Sequence, residues 1–319
     1  MRPTIDAHHH LWQLGRFPYA WLAPDSPRRP FGDHSRLKSD YLVADYRRDM
    51  SGAGVVASVF VEANAGAPGA EEAEWVDAAA ADGSCPAAAV GSADLRRPDI
   101  AGILDEFARS PRMRGIRMSL CWDERPQWRF IDKPDVMLAT EFRHGLRELT
   151  RRDMIFDALV VPGQLSQLAD LADANPDQRI VINHLGTPWF ETAEDKATWT
   201  AGMRECARHA NISVKLSALW PLDRQWRPDR IGGPVKLVVD LFGPERCLWA
   251  SNYPVEKLMC PVLDQIHHLE TVLEDLSEGD RDMIFRRTAA RIYDIPLAIG
   301  DELQTRNRET SRAAGRTCA

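Results

Sequence analysis

Short apolar runs of strand length recur along the chain, separated by longer stretches that are amphipathic or polar. They cover residues 5–12, 55–62, 87–90, 114–119, 155–161, 179–184, 212–217 and 247–252. Several are almost continuously apolar rather than alternating, as in Val55-Val56-Ala57-Ser58-Val59-Phe60-Val61. That pattern suits a strand covered on both faces, the usual state in a parallel sheet. Helical composition fills the intervals at 42–50, 70–81, 99–110, 136–152, 164–174, 195–209, 231–242, 262–276 and 280–293. Pro162-Gly163, Gly186-Thr187-Pro188 and Pro254 punctuate the strand ends. Eight strands alternating with helices predict a single-domain α/β protein, a (β/α)8 TIM barrel over 1–299, rather than an open doubly wound sheet. No G-x-G-x-x-G follows any strand, which argues against dinucleotide binding. Residues 15–39, rich in Pro, Arg and Trp, read as a long surface loop, and polar residues 300–319 as a disordered C-terminal tail.

Composition narrows the function classes. The chain has 319 residues, 44% of them hydrophobic, ample for a core, and a formal charge of -7. Mild acidity without a basic stripe argues against a nucleic-acid or anionic-membrane partner. No apolar run approaches the roughly 20 residues that span a bilayer, and no signal-peptide core opens the chain. Six scattered cysteines without a C-x-x-C pair read as free thiols in a reducing cytoplasm. A small-molecule substrate is the expected partner, with a homodimer as the default assembly.

Candidate chemistry begins in the first strand, Ile5-Asp6-Ala7-His8-His9-His10-Leu11-Trp12. Strand alternation puts Asp6, His8 and His10 on one face and Ile5, Ala7, His9 and Leu11 on the other. Two imidazoles one strand step apart can bind a divalent metal; alternatively the carboxylate holds one ring in the right tautomer. The plain alternative is a run of surface histidines. Reactive groups in such barrels collect at the C-terminal strand ends, where His8, His10, His184, Asn252 and Glu62 fall. Arg117 in a barrel mouth needs an anion, either a substrate carboxylate or Glu62. Lys215 shares a face with Ser217 and either contacts substrate or joins a structural ion pair; Asp157 lies in the fifth strand. Six tryptophans (Trp12, Trp21, Trp122, Trp189, Trp220, Trp249) fall near strand ends or in the early loop, and Trp12 and Trp122 are the first choices to roof a pocket for a ring-shaped substrate.

Four segments together resemble the amidohydrolase superfamily: Asp6-Ala7-His8-His9-His10, Asn183-His184-Leu185-Gly186-Thr187-Pro188, Val214-Lys215-Leu216-Ser217-Ala218-Leu219, and Gly243 to Val255. The branch they resemble contains sugar-acid and pyrone-dicarboxylate lactonases. The resemblance implies hydrolysis of a small lactone or related cyclic amide. It also implies one divalent metal, zinc or manganese, held by His8, His10 and His184. One position departs from it. Asn252 stands where the superfamily carries a metal-binding aspartate that accepts the proton of the attacking water, and an amide has no basic oxygen near neutral pH. Either another carboxylate (Glu256, Glu62, Asp157 or Asp6) is the base, or catalysis is metal-free with histidines polarising the carbonyl and Arg117 stabilising the oxyanion. A third reading changes the reaction to a decarboxylase or hydro-lyase, and a fourth is a barrel that binds a small ligand without catalysis.

Overall fold

The computed structural model describes residues 2–65, 69–80 and 85–297. Eight strands form one parallel sheet in chain order: β1 (Thr4–His9), β2 (Val55–Val61), β3 (Ala88–Ser92), β4 (Met113–Ser119), β5 (Ile155–Leu159), β6 (Ile180–Ile182), β7 (Ile212–Leu216) and β8 (Cys247–Trp249). The sheet curls until its first and last strands meet just past β8. There the His10 N–H donates to the Tyr253 carbonyl at 2.7 Å and the Asn252 N–H to the His8 carbonyl at 2.8 Å. All eight expected strands are present, in a nearly closed barrel.

Helices cover the outside: α1 (Val43–Asp49), α2 (Gly69–Ala79), α3 (Ile100–Phe107), α4 (Thr140–Arg151), α5 (Leu165–Asp173), α6 (Ala193–Ala207), α7 (Pro228–Phe242) and α8 (Val262–Val272). Two expected helices are divided. Residues 136–152 form a 3-10 turn, Val136–Leu138, then α4, because Ala139 between them is extended. Residues 280–293 form α9 (Glu278–Asp282), a π turn at Met283–Arg287 and α10 (Thr288–Ile292). The tail expected over 300–319 lies outside the described residues.

The strands are apolar on both faces because both are buried. The outward side chains join the helices in one cluster that includes Phe60, Ile116, Phe156, Ile182, Val214 and Trp249. The inward ones, among them Ile5, Ala7, Val59, Val61, Ile155, Val181 and Leu248, pack with Ala289, Ile292 and Tyr293 around α10. Close helix packing is visible at Gly145, where an added Cβ would sit 2.1 Å from the Leu95 carbonyl oxygen. Alanine gains about 1 kcal/mol of intrinsic helix propensity over glycine. A clash with backbone that cannot swing aside costs about 1–3 kcal/mol, and it dominates when the overlap is this deep. Gly145→Ala should therefore lower the thermal midpoint, and an unchanged or raised midpoint in a melting curve would show that the two segments can separate cheaply.

Candidate active site

The expected face of β1 needs correction. Asp6 pairs with Ser58 of β2, but His9 pairs with Phe60, so three residues of β1 match two steps of β2. One extra residue inverts the alternation after it. Asp6 and His9 therefore point together at α1: Tyr46 donates its hydroxyl to Asp6 at 2.9 Å and stacks on His9 at 3.8 Å. The Ser251 hydroxyl also donates to Asp6, at 2.6 Å. Burial pushes the Asp6 carboxyl up to about 6, although these donors oppose it. Asp6 thus ties β1 to α1 and to the segment after β8, and is not the tautomer-setting partner of the inward histidines.

His8 and His10 share the inner face, their Nε2 atoms 3.3 Å apart and their rings edge to face. The His184 ring comes within 4.6 Å of the His8 ring, centre to centre. Three imidazoles far apart in sequence thus converge at the C-terminal mouth. His184 enters through a run of left-handed backbone, with φ of 56° at His184, 55° at Leu185, 67° at Gly186 and 51° at Thr187. Such conformations cost free energy in non-glycine residues and persist where the surroundings hold them, which places strain at this site. Asn252, with φ 54°, is also left-handed, a conformation its side chain tolerates better than most.

Hydrogen-bond partners assign the ring protons of His8 and His10. Lys215 is fully buried on β7, ion-paired with Asp157 of β5, and its Nζ lies 3.3 Å from His8 Nδ1. The ammonium of that pair only donates, so His8 Nδ1 accepts and the ring proton sits on Nε2, facing His10 Nε2. His10 keeps its own proton on Nδ1, 2.8 Å from the Val61 carbonyl. His184 Nδ1 lies 2.9 Å from the Ser217 hydroxyl. All three rings are held neutral at ordinary pH. Burial is the chief cause, with Lys215 adding to it at His8 and Arg117 at His184; His10 is lowered to about 3.

The histidine pair has one feature of a metal centre. Two nitrogens on a tetrahedral zinc, each about 2.0–2.1 Å from it, sit about 3.3 Å apart. The rest of the donor set disagrees. The proton on His8 Nε2 removes that lone pair, Asn252 brings no charge, and among the described residues no three His, Cys, Asp or Glu side chains are disposed around one ion. The residues as arranged do not fit a resident divalent metal.

The mouth opens into a cavity of about 740 Å³, its opening included, lined by His10, Arg117, His184, Asn252 and Thr187 on the barrel side. Other expected site residues support this wall from behind. Arg117 lines the cavity, yet its guanidinium is ion-paired with Glu62 at 2.7 Å and also donates to the Glu62 carbonyl. Lys215 and Asp157 form a buried pair behind His8. Glu256 is fully buried behind Asn252, accepting from Trp226 Nε1 at 2.6 Å and from Asn252 Nδ2 at 3.3 Å, and burial pushes its carboxyl up to about 7. Trp12 is buried against Trp21, and Trp122 lies under Arg129; neither lines the cavity. The rings that do are Trp21, Phe31, Trp128, Phe130 and Trp220, with Trp128 and Trp220 stacked 5.8 Å apart. Trp21 and Trp220 belong to the strand-end tryptophans already singled out; Trp128 carried no sequence signal. Ser217 was legible only as a neighbour of Lys215 on the same strand face.

Comparison with known proteins agrees with this geometry. An amidohydrolase family model matches residues 5–295. An L-fucono-1,5-lactonase of Burkholderia ambifaria is 33% identical over 256 residues, covering 80% of this chain and 81% of that one. Another, of Burkholderia multivorans, is 29% identical over 305 residues, covering 92% and 96%. A crystal structure of an amidohydrolase from Burkholderia multivorans with bound zinc superimposes with a TM-score of 0.77 at 28% identity, covering 92% of this chain and 99% of that one. With the barrel, the converging histidines and a family match over nearly the whole chain, this protein belongs to the amidohydrolase family of enzymes.

Proposed function

We propose that the protein hydrolyses a small lactone of monosaccharide size, using its own side chains rather than a bound metal. The observation that carries this reading is the neutral imidazole of His184 beside the Arg117 guanidinium in an aromatic-walled cavity. In this mechanism His184 carries its proton on Nδ1, donating to the Ser217 oxygen, and offers the Nε2 lone pair to a water. That water forms a bond to the ring carbonyl carbon while its proton passes to His184. The carbonyl oxygen becomes an oxyanion and is stabilised by Arg117, whose charge stays oriented by Glu62. Collapse breaks the ring C–O bond, and the His184 imidazolium returns the proton to the departing alkoxide, leaving a hydroxy acid. Thr187 lines the cavity with a buried hydroxyl that has no partner among the described residues, and in this reading it binds a substrate hydroxyl. The L-fucono-1,5-lactonase relatives make sugar-acid lactones the first substrates to try.

Acid release from a panel of aldono-lactones, followed before and after dialysis against a chelator, tests the reaction and the metal together. Turnover should survive chelation within about 2-fold, with metal well below one equivalent. Because the His184 pKa is lowered, the basic form persists as pH falls, and the acid limb of kcat/KM lies below the usual histidine range. Chelator-sensitive turnover with stoichiometric metal would replace this mechanism by a metal-assisted one, and silence on the whole panel would remove the lactonase reading.

A further inference from the structure

The cavity carries an electrostatic imbalance that the hydrolytic machinery does not use. Its walls hold two guanidinium groups, Arg29 and Arg117, and among the described residues no aspartate or glutamate side chain. Arg117 is already neutralised by Glu62. Arg29 is not: among the described residues no carboxylate pairs with it, and its buried Nε has no hydrogen-bond partner. Its head lies 5.0 Å from the centre of the Phe130 ring, and burial alone, with no acid offsetting it, pulls its pKa down. The position is built rather than accidental. The Gly32 N–H closes a tight turn on the Arg29 carbonyl at 2.8 Å, and Arg224 donates to the Phe31 carbonyl at 2.8 Å, tying down the tip.

Arg29 is half-buried, no carboxylate among the described residues pairs with it, and its guanidinium is therefore open to an anion that enters the cavity. Resting on the lactonase reading, we infer that the substrate carries a carboxylate besides its cyclic ester, and that Arg29 is the residue that selects it. A guanidinium binds a carboxylate through two parallel N–H donors, and the aromatic wall excludes the water that would weaken those bonds. A phosphate would want several convergent donors or a helix N-terminus, and Arg29 stands here among aromatic rings. The carboxylate expected from the sequence thus meets Arg29, not Arg117.

The test compares kcat/KM for one lactone ring carrying a carboxylate, a carboxamide or a phosphate, in the wild type, Arg29→Met and Arg29→Lys. The wild type should prefer the carboxylate over the carboxamide by about 10–100-fold, the worth of a charge-assisted hydrogen-bonded pair. In Arg29→Met that ratio should fall to near one, chiefly through KM, and Arg29→Lys should restore part of it. A ratio unchanged in Arg29→Met, or a wild type that prefers the carboxamide or the phosphate, overturns the inference. Calorimetric binding of tetrahydropyran-2-carboxylate, which has no ester to cleave, separates this idea from the reaction. If no lactone turns over but the ether acid binds the wild type and not Arg29→Met, the lactonase reading falls and the anion site stands. If lactones are hydrolysed without charge preference and the ether acid does not bind, the anion site falls alone.

Discussion

His184→Asn is expected to reduce kcat by about 10²–10⁴-fold, the usual contribution of a general base, while the barrel stays folded. Asparagine is the substitution of choice because residue 184 has φ 56°, a left-handed conformation that asparagine accepts with little strain. Alanine would confuse lost chemistry with backbone cost. Among the described residues His184 makes one side-chain hydrogen bond, to Ser217, so little of the fold depends on the ring itself. The loss should appear in kcat more than KM, since the proton is taken in the transition state. A variant with near-native circular dichroism and turnover within a few-fold of wild type would end the assignment of His184 as base.

Lys215→Met should be the most damaging single change to stability. The lysine is fully buried in contact with Asp157, which also accepts from the Tyr293 hydroxyl at 2.9 Å. Methionine fills similar space but leaves the Asp157 charge without its cation. Breaking a buried pair from one side costs about 3–5 kcal/mol, several times the worth of a surface pair. The partner change Asp157→Asn, made in the Lys215→Met background, should recover a large part of that loss, because no unpaired charge then remains. Urea midpoints of the two single variants and the double variant measure this coupling, and additive losses would mean the pair is not acting as a pair.

Part of the candidate site is legible in the sequence. His8, His10 and His184 sit at the ends of strands with strong apolar patterns, and strand ends are where a barrel gathers its chemistry. The neighbours were harder. Glu62 and Arg117 are 55 residues apart, and only the register of β2, β3 and β4 makes them a pair rather than two free charges. Asn252 reads as a lost carboxylate in the chain; in the fold Glu256, one helical turn later, sits behind it and binds its amide. Arg29 lies in a loop without periodicity, and loop paths depend on contacts such as Arg224 with Phe31 that no local rule encodes.

Strand number, strand order and the positions of the three histidines follow from the chain alone, because periodicity and short connections leave a parallel barrel as the arrangement that buries every apolar run. Side-chain partnership does not follow. One extra residue in β1 put Asp6 on the face of His9, away from the mouth, and tertiary contacts chose which cations are neutralised and which rings line the cavity. Burial is specified residue by residue along a strand, whereas pairing depends on register and loop path, which only the closed barrel establishes.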